Sequence, residues 1–303
     1  MSSEPQQNQE QQQEEVAIVK ARKMASDKYV NIGATPAVDI IIPFHGECSK
    51  VNRLVKSILQ YTADYPYLIT LVDDASPNKN FSKTINDPRL LHQSCRAPTA
   101  ISRGEEVPFV KCIRNKEQKG FGASLNAGLI NTERPIVVFM HSDCEVKDRK
   151  WLINLVRSLD GMKKDGVKMV SAKCNNPGAS YPKELLSMKK PVADKDIVLD
   201  GDVLDDSHYI PFYCTICNRQ LFNYVGGGFR EYPYAWYEDL EFACRMRMSD
   251  FMQGISGNSW VWHEGNGTIK KLCAKMPKVK EIMESNRKQC IAHIKAMSEQ
   301  NKE

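Results

Sequence analysis

The stretch PIVVFMHSDCEV, residues 135–146, joins a strand to a polar cluster. Its first half, PIVVFM, is an apolar run with the length of a strand that is buried on both faces. Its second half puts an imidazole, a hydroxyl and two carboxylates directly after that strand, at His141, Ser142, Asp143 and Glu145. In open α/β sheets, ligands bind beyond the carboxyl ends of the strands. The stretch therefore predicts a functional site where this strand ends.

The same alternation of apolar runs and helical periods extends over most of the chain. Strands are predicted for VDIII (38–42), LITLV (68–72), FVKCI (109–113), VKMVSAK (167–173), YIPFYCTICN (209–218) and SWVWH (259–263). Helices are predicted for residues 49–62, 120–131, 151–159, 238–250 and 278–298, where apolar residues recur with helical spacing. Strands that alternate with helices indicate an α/β fold with a doubly wound, mostly parallel sheet.

Two further strand ends carry polar residues. The first predicted strand ends in Pro43, Phe44 and His45, and the second ends in Asp73 and Asp74. Clustered carboxylates repel each other unless they hold a cation or bind a ligand. A divalent cation such as Mg²⁺ or Mn²⁺ takes one or two carboxylates and fills its remaining positions with phosphate and water. The alternative for each residue by itself is a helix cap or a turn residue.

The composition is that of a globular protein, with 42% hydrophobic and 26% charged residues among 303. The net charge of +5 is concentrated in residues 270–303, where nine Lys/Arg face four Asp/Glu. We therefore expect no nucleic-acid groove in the core. The C-terminal segment reads as a basic amphipathic helix, with peripheral contact to an anionic membrane surface as the alternative. No apolar run reaches the length of a membrane span, and ten cysteines without an export signal favour a cytoplasmic location.

Three regions follow from these patterns. Residues 1–36 are predicted to be a disordered or partly helical tail, 37–270 the main α/β domain, and 271–303 a basic amphipathic C-terminal helix. The polar connection 76–108 and the segment 174–208 have no clear pattern, and we expect them to carry specificity. Oligomeric state has no sequence signal.

Two later segments contain further candidate site residues. Residues 226–242 place a glycine-rich turn and an aromatic cluster just before Glu238 and Asp239, and His263 ends the last predicted strand. Cys214 and Cys217 have the spacing of a zinc pair, but in a strand they point to opposite faces, and no second pair matches them.

Taken together, these segments resemble glycosyltransferase family 2, which has the GT-A fold. The resemblance spans roughly residues 38–268. The motifs that carry it stand in the family's order: VDIIIPFHGECSKVNRLVKSI, LVDDASPN, IRNKEQKGFGASLNAGL, FMHSDCEV and CTICNRQLFNYVGGGFRE with YEDLEFACRMR.

The resemblance implies an inverting transferase that moves a sugar from a nucleoside-diphosphate sugar, of UDP, dTDP or GDP, to a hydroxyl acceptor, with a glycan expected. It places the base of the nucleotide on Asp74 and makes Asp239 the general base, with Glu238 as its neighbour. The metal ligands would be Asp143 with Glu145 or His263. The nucleotide-sugar site would comprise Pro43, His45, Asp73, Asp74, Arg114, Gly120, Asn126, Ser142 and Asp143.

The chain departs from the family at one position. His141 stands where the metal-binding motif has Asp or Asn, and imidazole suits Mn²⁺ better than Mg²⁺. Trp236 and Tyr237, within the aromatic cluster, are candidates for stacking on an acceptor sugar, with ordinary packing as the alternative. Two other functions stay open: a catalytically silent nucleotide-sugar-binding module, and a nucleotidyltransferase on a similar sheet.

Overall fold

The computed structural model describes residues 38–62, 65–77, 101–102, 105–106, 110–175, 203–205, 211–265 and 278–300. The predicted tail 1–36, most of the connection 76–108 and most of the segment 174–208 lie outside these residues. The predicted domain bounds stay a prediction.

The strands are β1 (Val38–Phe44), β2 (Tyr67–Asp73), β3 (Ile101–Ser102), β4 (Glu105–Glu106), β5 (Val110–Arg114), β6 (Ile136–Met140), β7 (Cys144–Val146), β8 (Val167–Cys174), β9 (Val203–Asp205), β10 (Cys214–Asn218) and β11 (Met252–His263). The helices are α1 (Cys48–Tyr61), α2 (Phe121–Ile130), α3 (Trp151–Gly161), α4 (Leu221–Tyr224), α5 (Glu238–Met248) and α6 (Val279–Gln300). A 3₁₀ turn, Met162–Asp165, follows α3.

One nine-stranded sheet has the strand order β5-β2-β1-β6-β10-β8-β11-β7, with β9 paired to β11, and β3 and β4 form a separate two-stranded sheet. Strands β5, β2, β1 and β6 run parallel, β8 and β11 are parallel to each other, and β10, β7 and β9 are antiparallel to their neighbours. The prediction of a mostly parallel sheet is thus confirmed. Because β1, β2 and β6 run in one direction, their polar ends reach the same edge.

Helices cover both faces of the sheet. Helices α1 and α3 pack on one face through residues such as Leu54 and Leu155, and α2 and α5 pack on the other through residues such as Leu125 and Phe242. The central strands are therefore buried on both sides, which explains their continuous apolar runs. Strand β10 shows the alternation directly, because Cys214 packs in the first core and Cys217 in the second.

Two predicted strands begin at residues other than those predicted, and some elements were not predicted. The strand predicted for 209–218 begins at Cys214, and the strand predicted for 259–263 begins already at Met252. Strands β3, β4, β7 and β9 and helix α4 were not predicted. In β11, Gly254 and Gly257 have low strand propensity, so the sequence did not indicate the first half of this strand. The register of its pairing with β8 also shifts between Ser256 and Trp260.

Helix α6 packs against the domain through Val279, Asn286 and Cys290, which are buried. Its exposed side carries charged residues, as predicted for an amphipathic helix. None of the helices in the described part of the chain is long and apolar enough to cross a membrane.

Candidate active site

Three side chains that could hold a metal ion meet at the edge where β6 and β11 end. His141 Nδ1 lies 3.3 Å from His263 Nε2, and His263 Nε2 lies 3.3 Å from an Asp143 carboxylate oxygen. One ligand atom from each residue lies within 4.8 Å of the others. We call His141, Asp143 and His263 the HDH cluster. Asp143 and His263, which were both predicted as metal ligands, therefore lie side by side.

Backbone pairing holds the HDH cluster in position. His141 directly follows β6, and its N–H donates to the Tyr213 carbonyl at 2.8 Å. His263 ends β11, where it pairs with Cys144 of β7. The Asn175 side chain binds both backbone groups of His263, accepting from its N–H at 2.8 Å and donating to its carbonyl at 3.0 Å. The short strand β7 therefore fixes Asp143 beside His263.

The charges of the HDH cluster are strongly coupled. Burial and the charge on His263 lower the pKa of His141 to about 4, so this imidazole is neutral. Burial opposes the charged form of His263, but Asp143 and Cys174, each through a hydrogen bond and through its charge, raise the pKa of His263 to about 10. Burial also opposes ionisation of Asp143, but His263, His141 and Lys50 outweigh it and lower the pKa of the carboxyl below its usual range. A metal ion that bound here would displace the proton of His263.

The donor set fits a transition metal. Two imidazole nitrogens and one carboxylate oxygen suit a divalent transition-metal ion better than Mg²⁺, which prefers an all-oxygen shell. Glu145, the other metal ligand that the family resemblance implied, is not a member of the cluster. Its carboxylate lies 2.6 Å from Lys147 Nζ and 3.6 Å from Arg53 Nε, so ion pairs engage it.

Asp74 organises the loop that leads into α2. Its carboxylate accepts hydrogen bonds from the Asn115 side chain and from the backbone N–H groups of Lys119 and Gly120, each at 2.9 Å. Its own carbonyl lies 2.7 Å from His45 Nδ1. The base contact that was predicted for Asp74 would thus add to three internal hydrogen bonds.

Asp73 and Arg114 form a second link between strand ends. The Arg114 guanidinium binds the Asp73 carboxylate and donates to the Ser76 carbonyl at 2.7 Å. The other Asp73 oxygen accepts from the Ser76 N–H at 2.8 Å. Pro43 is buried in β1 opposite Val72. These contacts hold the ends of β1, β2 and β5 together.

Gly120 and Asn126 contact a segment that we call the strap, residues 230–237. Gly120 has φ +99°, and a Cβ there would lie 2.5 Å from the Tyr232 carbonyl oxygen. Asn126 binds both backbone groups of Phe229 at 2.8 Å and also donates to Glu231 at 3.1 Å. The NH₂ group and the carbonyl oxygen of the Asn126 side chain are therefore both engaged by Phe229 and Glu231, at the start of the strap. The resemblance had implied that Asn126 contacts the donor.

The strap ends at two acidic residues. Tyr237 is the N-cap of α5, and Glu238 and Asp239 form its first turn, where the helix dipole favours negative charge. Glu238 is buried, and among the described residues its Oε2 has no hydrogen-bond partner. Burial raises the pKa of both carboxyls, and the nearby charge of Asp239 raises that of Glu238 further. Trp236 and Tyr237 are half-buried beside this pair.

Phe121 links the strap to the HDH cluster. Its ring meets the His141 ring edge-on with centroids 5.0 Å apart, and its N–H donates to the Tyr234 carbonyl at 2.8 Å. The predicted residues thus lie in one connected region: Asp74 holds the loop before α2, Phe121 joins the HDH cluster to the strap, and the strap leads into Glu238 and Asp239. Ser142 lies in the turn between His141 and Asp143.

Sequence reasoning missed two residues of this region, Asn115 and Phe121. Asn115 lies two residues after the predicted strand 109–113, as Asp74 lies two residues after the predicted strand 68–72, so the same kind of signal was present. Phe121 lies within the motif IRNKEQKGFGASLNAGL, but no local pattern indicated its contact with His141, because that contact joins two segments that are remote in sequence.

Several solved structures share the fold described above. The mannosyltransferase PcManGT from Pyrobaculum calidifontis, in complex with GDP-Man and Mn²⁺, matches 81% of this chain and 62% of its own, with TM-score 0.51 and 15% identity. GalNAc-T7 with UDP, GalNAc and Mn²⁺ matches 82% of this chain and 50% of its own, with TM-score 0.52 and 16% identity. TarS 1–349 of S. aureus gives TM-score 0.52 at 14% identity, over 76% of this chain and 61% of its own. At these identities the likeness establishes the GT-A fold.

Curated relatives match over shorter stretches. Human polypeptide N-acetylgalactosaminyltransferase 16 is 34% identical over 138 residues, which are 45% of this chain and 21% of that protein. Human polypeptide N-acetylgalactosaminyltransferase 14 is 31% identical over 156 residues, 51% of this chain and 24% of that protein. The chain thus spans about a fifth to a quarter of these relatives.

The sequence profile of Glycosyl transferase family 2 matches residues 39–225, from β1 to the end of α4. This range holds the ends of β1, β2, β5 and β6, which carry predicted site residues, and α5 and β11 follow it with Asp239 and His263. The match covers more than half of the chain and confirms the resemblance read from the motifs: the chain belongs to glycosyltransferase family 2.

Proposed function

We propose that this protein transfers a sugar from a nucleoside-diphosphate sugar to a hydroxyl group, with Mn²⁺ held by the HDH cluster. The observation that carries the proposal is the gathering of His141, Asp143 and His263 within 4.8 Å at the carboxyl edge of a GT-A sheet. A divalent cation at this position would stabilise the negative charge that grows on the leaving diphosphate.

The donor that we favour is a UDP-N-acetylhexosamine. Two observations support this choice: the curated relatives are named as N-acetylgalactosaminyltransferases, and solved structures of this fold contain UDP with GalNAc or UDP-GlcNAc. The relatives are also named for polypeptide acceptors. We therefore propose a hydroxyl of a polypeptide as the first acceptor to test, ahead of the glycan that the resemblance suggested.

For the donor site, we propose that Asp74 acts mainly by positioning the backbone of residues 115–120. Its three internal hydrogen bonds support this role. Arg114, held by Asp73, would leave its exposed surface toward the nucleotide, together with His45 and Ser142.

We propose Asp239 as the general base that deprotonates the acceptor hydroxyl. Its pKa is raised by burial, which brings it toward the working range of a base at neutral pH. Glu238 beside it, with a pKa raised further by burial and by the charge of Asp239, would remain protonated and limit repulsion within the pair. A base opposite the leaving group implies inversion at the anomeric carbon. Trp236 and Tyr237, next to the pair, would contact the acceptor.

The test is a turnover assay with purified full-length protein, Mn²⁺ and a panel of UDP-, dTDP- and GDP-sugars. We expect UDP release from a UDP-N-acetylhexosamine, slowly with water and faster with a Ser- or Thr-containing peptide. Asp239→Asn should lower turnover by about 10²–10⁴-fold while UDP binding is kept, since general-base catalysis contributes about that much. Asp160→Asn, at an exposed site paired with Lys163, is the matched control and should be fully active.

Product stereochemistry, measured by NMR, tests the mechanism separately. A product of retained configuration would exclude Asp239 as an inverting base, even if transfer is found. Binding of UDP without turnover of any donor would instead favour the silent binding module.

A further inference from the structure

We propose that helix α6 clamps the strap and that Asn286 is the positioning residue through which it does so. The clamp fixes the segment that leads into Glu238 and Asp239. The inference rests on the proposed function for its catalytic consequence, but its structural part can be tested without any substrate.

Asn286 is fully buried, and its side-chain NH₂ donates to two strap carbonyls. The acceptors are the carbonyl oxygens of Pro233 and Ala235, each at 3.0 Å. A buried asparagine that satisfies two backbone acceptors two residues apart fixes the path of the chain between them. This contact joins α6 to the strap by direction-specific bonds in addition to apolar packing.

The strap needs such support because its backbone is strained. Tyr234, Trp236 and Tyr237 have φ values of 64°, 80° and 78°, which residues other than glycine rarely adopt. Such conformations persist only where surrounding contacts impose them, and they are frequent at functional sites. Three of them within four residues indicate that the strap would relax if its contacts were removed.

Two further contacts from α6 reach the strap. The Tyr232 hydroxyl lies 3.1 Å from His293 Nδ1, and the Cys290 thiol lies 3.9 Å from the Tyr237 carbonyl. Tyr232 is almost fully buried between the helix and the domain. The successive helical turns at Asn286, Cys290 and His293 therefore contact the strap along its length.

The core holds the strap from its other side. Phe121 donates its N–H to the Tyr234 carbonyl at 2.8 Å, and Gly120 approaches the backbone of Tyr232 and Tyr234 so closely that only glycine fits. The strap is thus fixed between α2, whose first residue touches the HDH cluster, and α6. Because Tyr237 is the N-cap of α5, the position of the strap also sets the position of Glu238 and Asp239.

The consequence for catalysis is specific to the acceptor side. The strap carries Trp236 and Tyr237 and ends at the proposed base, whereas the metal ligands are held by β6, β7 and β11. Loss of the Asn286 contacts should therefore lower kcat and raise the acceptor KM, and should leave metal and nucleotide binding unchanged.

The decisive variant is Asn286→Asp in the full chain. It keeps the shape of the side chain but replaces the NH₂ donor with an oxygen that faces two carbonyl oxygens. Asn154→Asp is the matched control, because the amide of Asn154 also donates to a backbone carbonyl, that of Asn258, at 2.6 Å, but far along the chain from the strap.

Hydrogen exchange followed by mass spectrometry gives the first readout. We expect amide exchange in residues 232–241 to be at least about 10-fold faster in Asn286→Asp than in the wild type or in Asn154→Asp, as the loss of a buried hydrogen bond implies. Exchange in β1 and β6 should stay unchanged. Equal exchange of the strap in all three proteins would overturn the proposal.

Kinetics give the second readout. In Asn286→Asp, we expect kcat to fall by about 10-fold or more, because the oriented hydrogen bonds that hold the strap are lost. Calorimetry with UDP and Mn²⁺ should give the same Kd as in the wild type. Unchanged kcat in a variant with a loosened strap would refute the catalytic part. If the wild type itself turns over no donor, the proposed function fails, while the exchange result still tests the clamp.

A second variant guards against a failure to fold. Tyr232→Phe removes only the hydroxyl that faces His293 and should raise strap exchange in the same direction by a smaller factor. Strap exchange equal to that of the wild type in a folded Tyr232→Phe protein, together with an unfolded Asn286→Asp, would count against the clamp.

Discussion

His263 Nε2 lies 3.3 Å from a carboxylate oxygen of Asp143 and 3.3 Å from Nδ1 of His141. One imidazole nitrogen thus faces both of the other donors that could bind the same ion. The arrangement needs the end of β11 to lie beside the end of β6, and the short pairing of β7 with β11 provides this.

Removing a donor of the HDH cluster should abolish specific Mn²⁺ binding. For His263→Ala and Asp143→Asn we expect an affinity loss of more than about 100-fold, since changes to outer-shell partners alone cost about 10–100-fold. Calorimetry with Mn²⁺ measures this directly. Glu145→Gln is the control, because that carboxylate is paired with Lys147 and Arg53. Equal weakening by Glu145→Gln would place the ion elsewhere.

His141 should set the choice between manganese and magnesium. With two imidazoles and one carboxylate, the wild type is expected to bind Mn²⁺ well and Mg²⁺ poorly. His141→Asp replaces one imidazole by a carboxylate and should shift the preference toward Mg²⁺. The measurement is the ratio of Mn²⁺ to Mg²⁺ affinities in the two proteins; an unchanged ratio would mean that His141 does not touch the metal.

Gly120 should tolerate no side chain. A Cβ there would lie 2.5 Å from the Tyr232 carbonyl oxygen and 2.9 Å from the Tyr234 nitrogen, at φ +99°. Gly120→Ala should lower the free energy of unfolding by about 1–3 kcal/mol. Gly161→Ala, with nothing within 4 Å of the added Cβ and a helical position, should be neutral or slightly stabilising. Urea denaturation compares the two, and equal stabilities would contradict the close packing of the strap on α2.

Glu238 should make the stability of the protein depend on pH. Burial and the charge of Asp239 raise the pKa of Glu238 in the folded state. Its contribution to the free energy of unfolding is therefore fully present at low pH and is lost as the pH rises through the folded-state pKa. Glu238→Gln cannot ionise. Relative to the wild type, this variant should therefore become more stable from about pH 5 to about pH 9.

Urea denaturation of both proteins at several pH values is the measurement. The control is Asp160→Asn, whose exposed carboxylate should produce no such trend. A stability difference that stays constant with pH would show that Glu238 is not buried against the charge of Asp239.

Much of the fold could be predicted because burial leaves a local pattern. Strands β1, β2 and β6 lie between two layers of helices, so each is a continuous apolar run that ends where the polar site begins. The family followed from motifs of the same kind, since FMHSDCEV and LVDDASPN mark strand ends. Strand β7 could not be predicted, because three residues form a strand only when β11 lies beside them.

The roles within the site were harder to assign. Glu145 and His263 were equally reasonable partners for Asp143, and only packing shows that His263 reaches it while Glu145 pairs with basic residues. Asp74 and Asn126 were expected to face the donor, but their hydrogen bonds are directed at the loop before α2 and at Phe229.

The sequence alone determined the order of the long strands and helices, the family and the residue types that reach the site edge, because each depends on neighbours along the chain. The tertiary structure decided which of those residues meet, and it decided that Asn286 of the C-terminal helix supports the strap. Contacts between remote segments depend on how the layers pack, and an asparagine within a helix has the same local sequence pattern whether it faces solvent or two buried carbonyls.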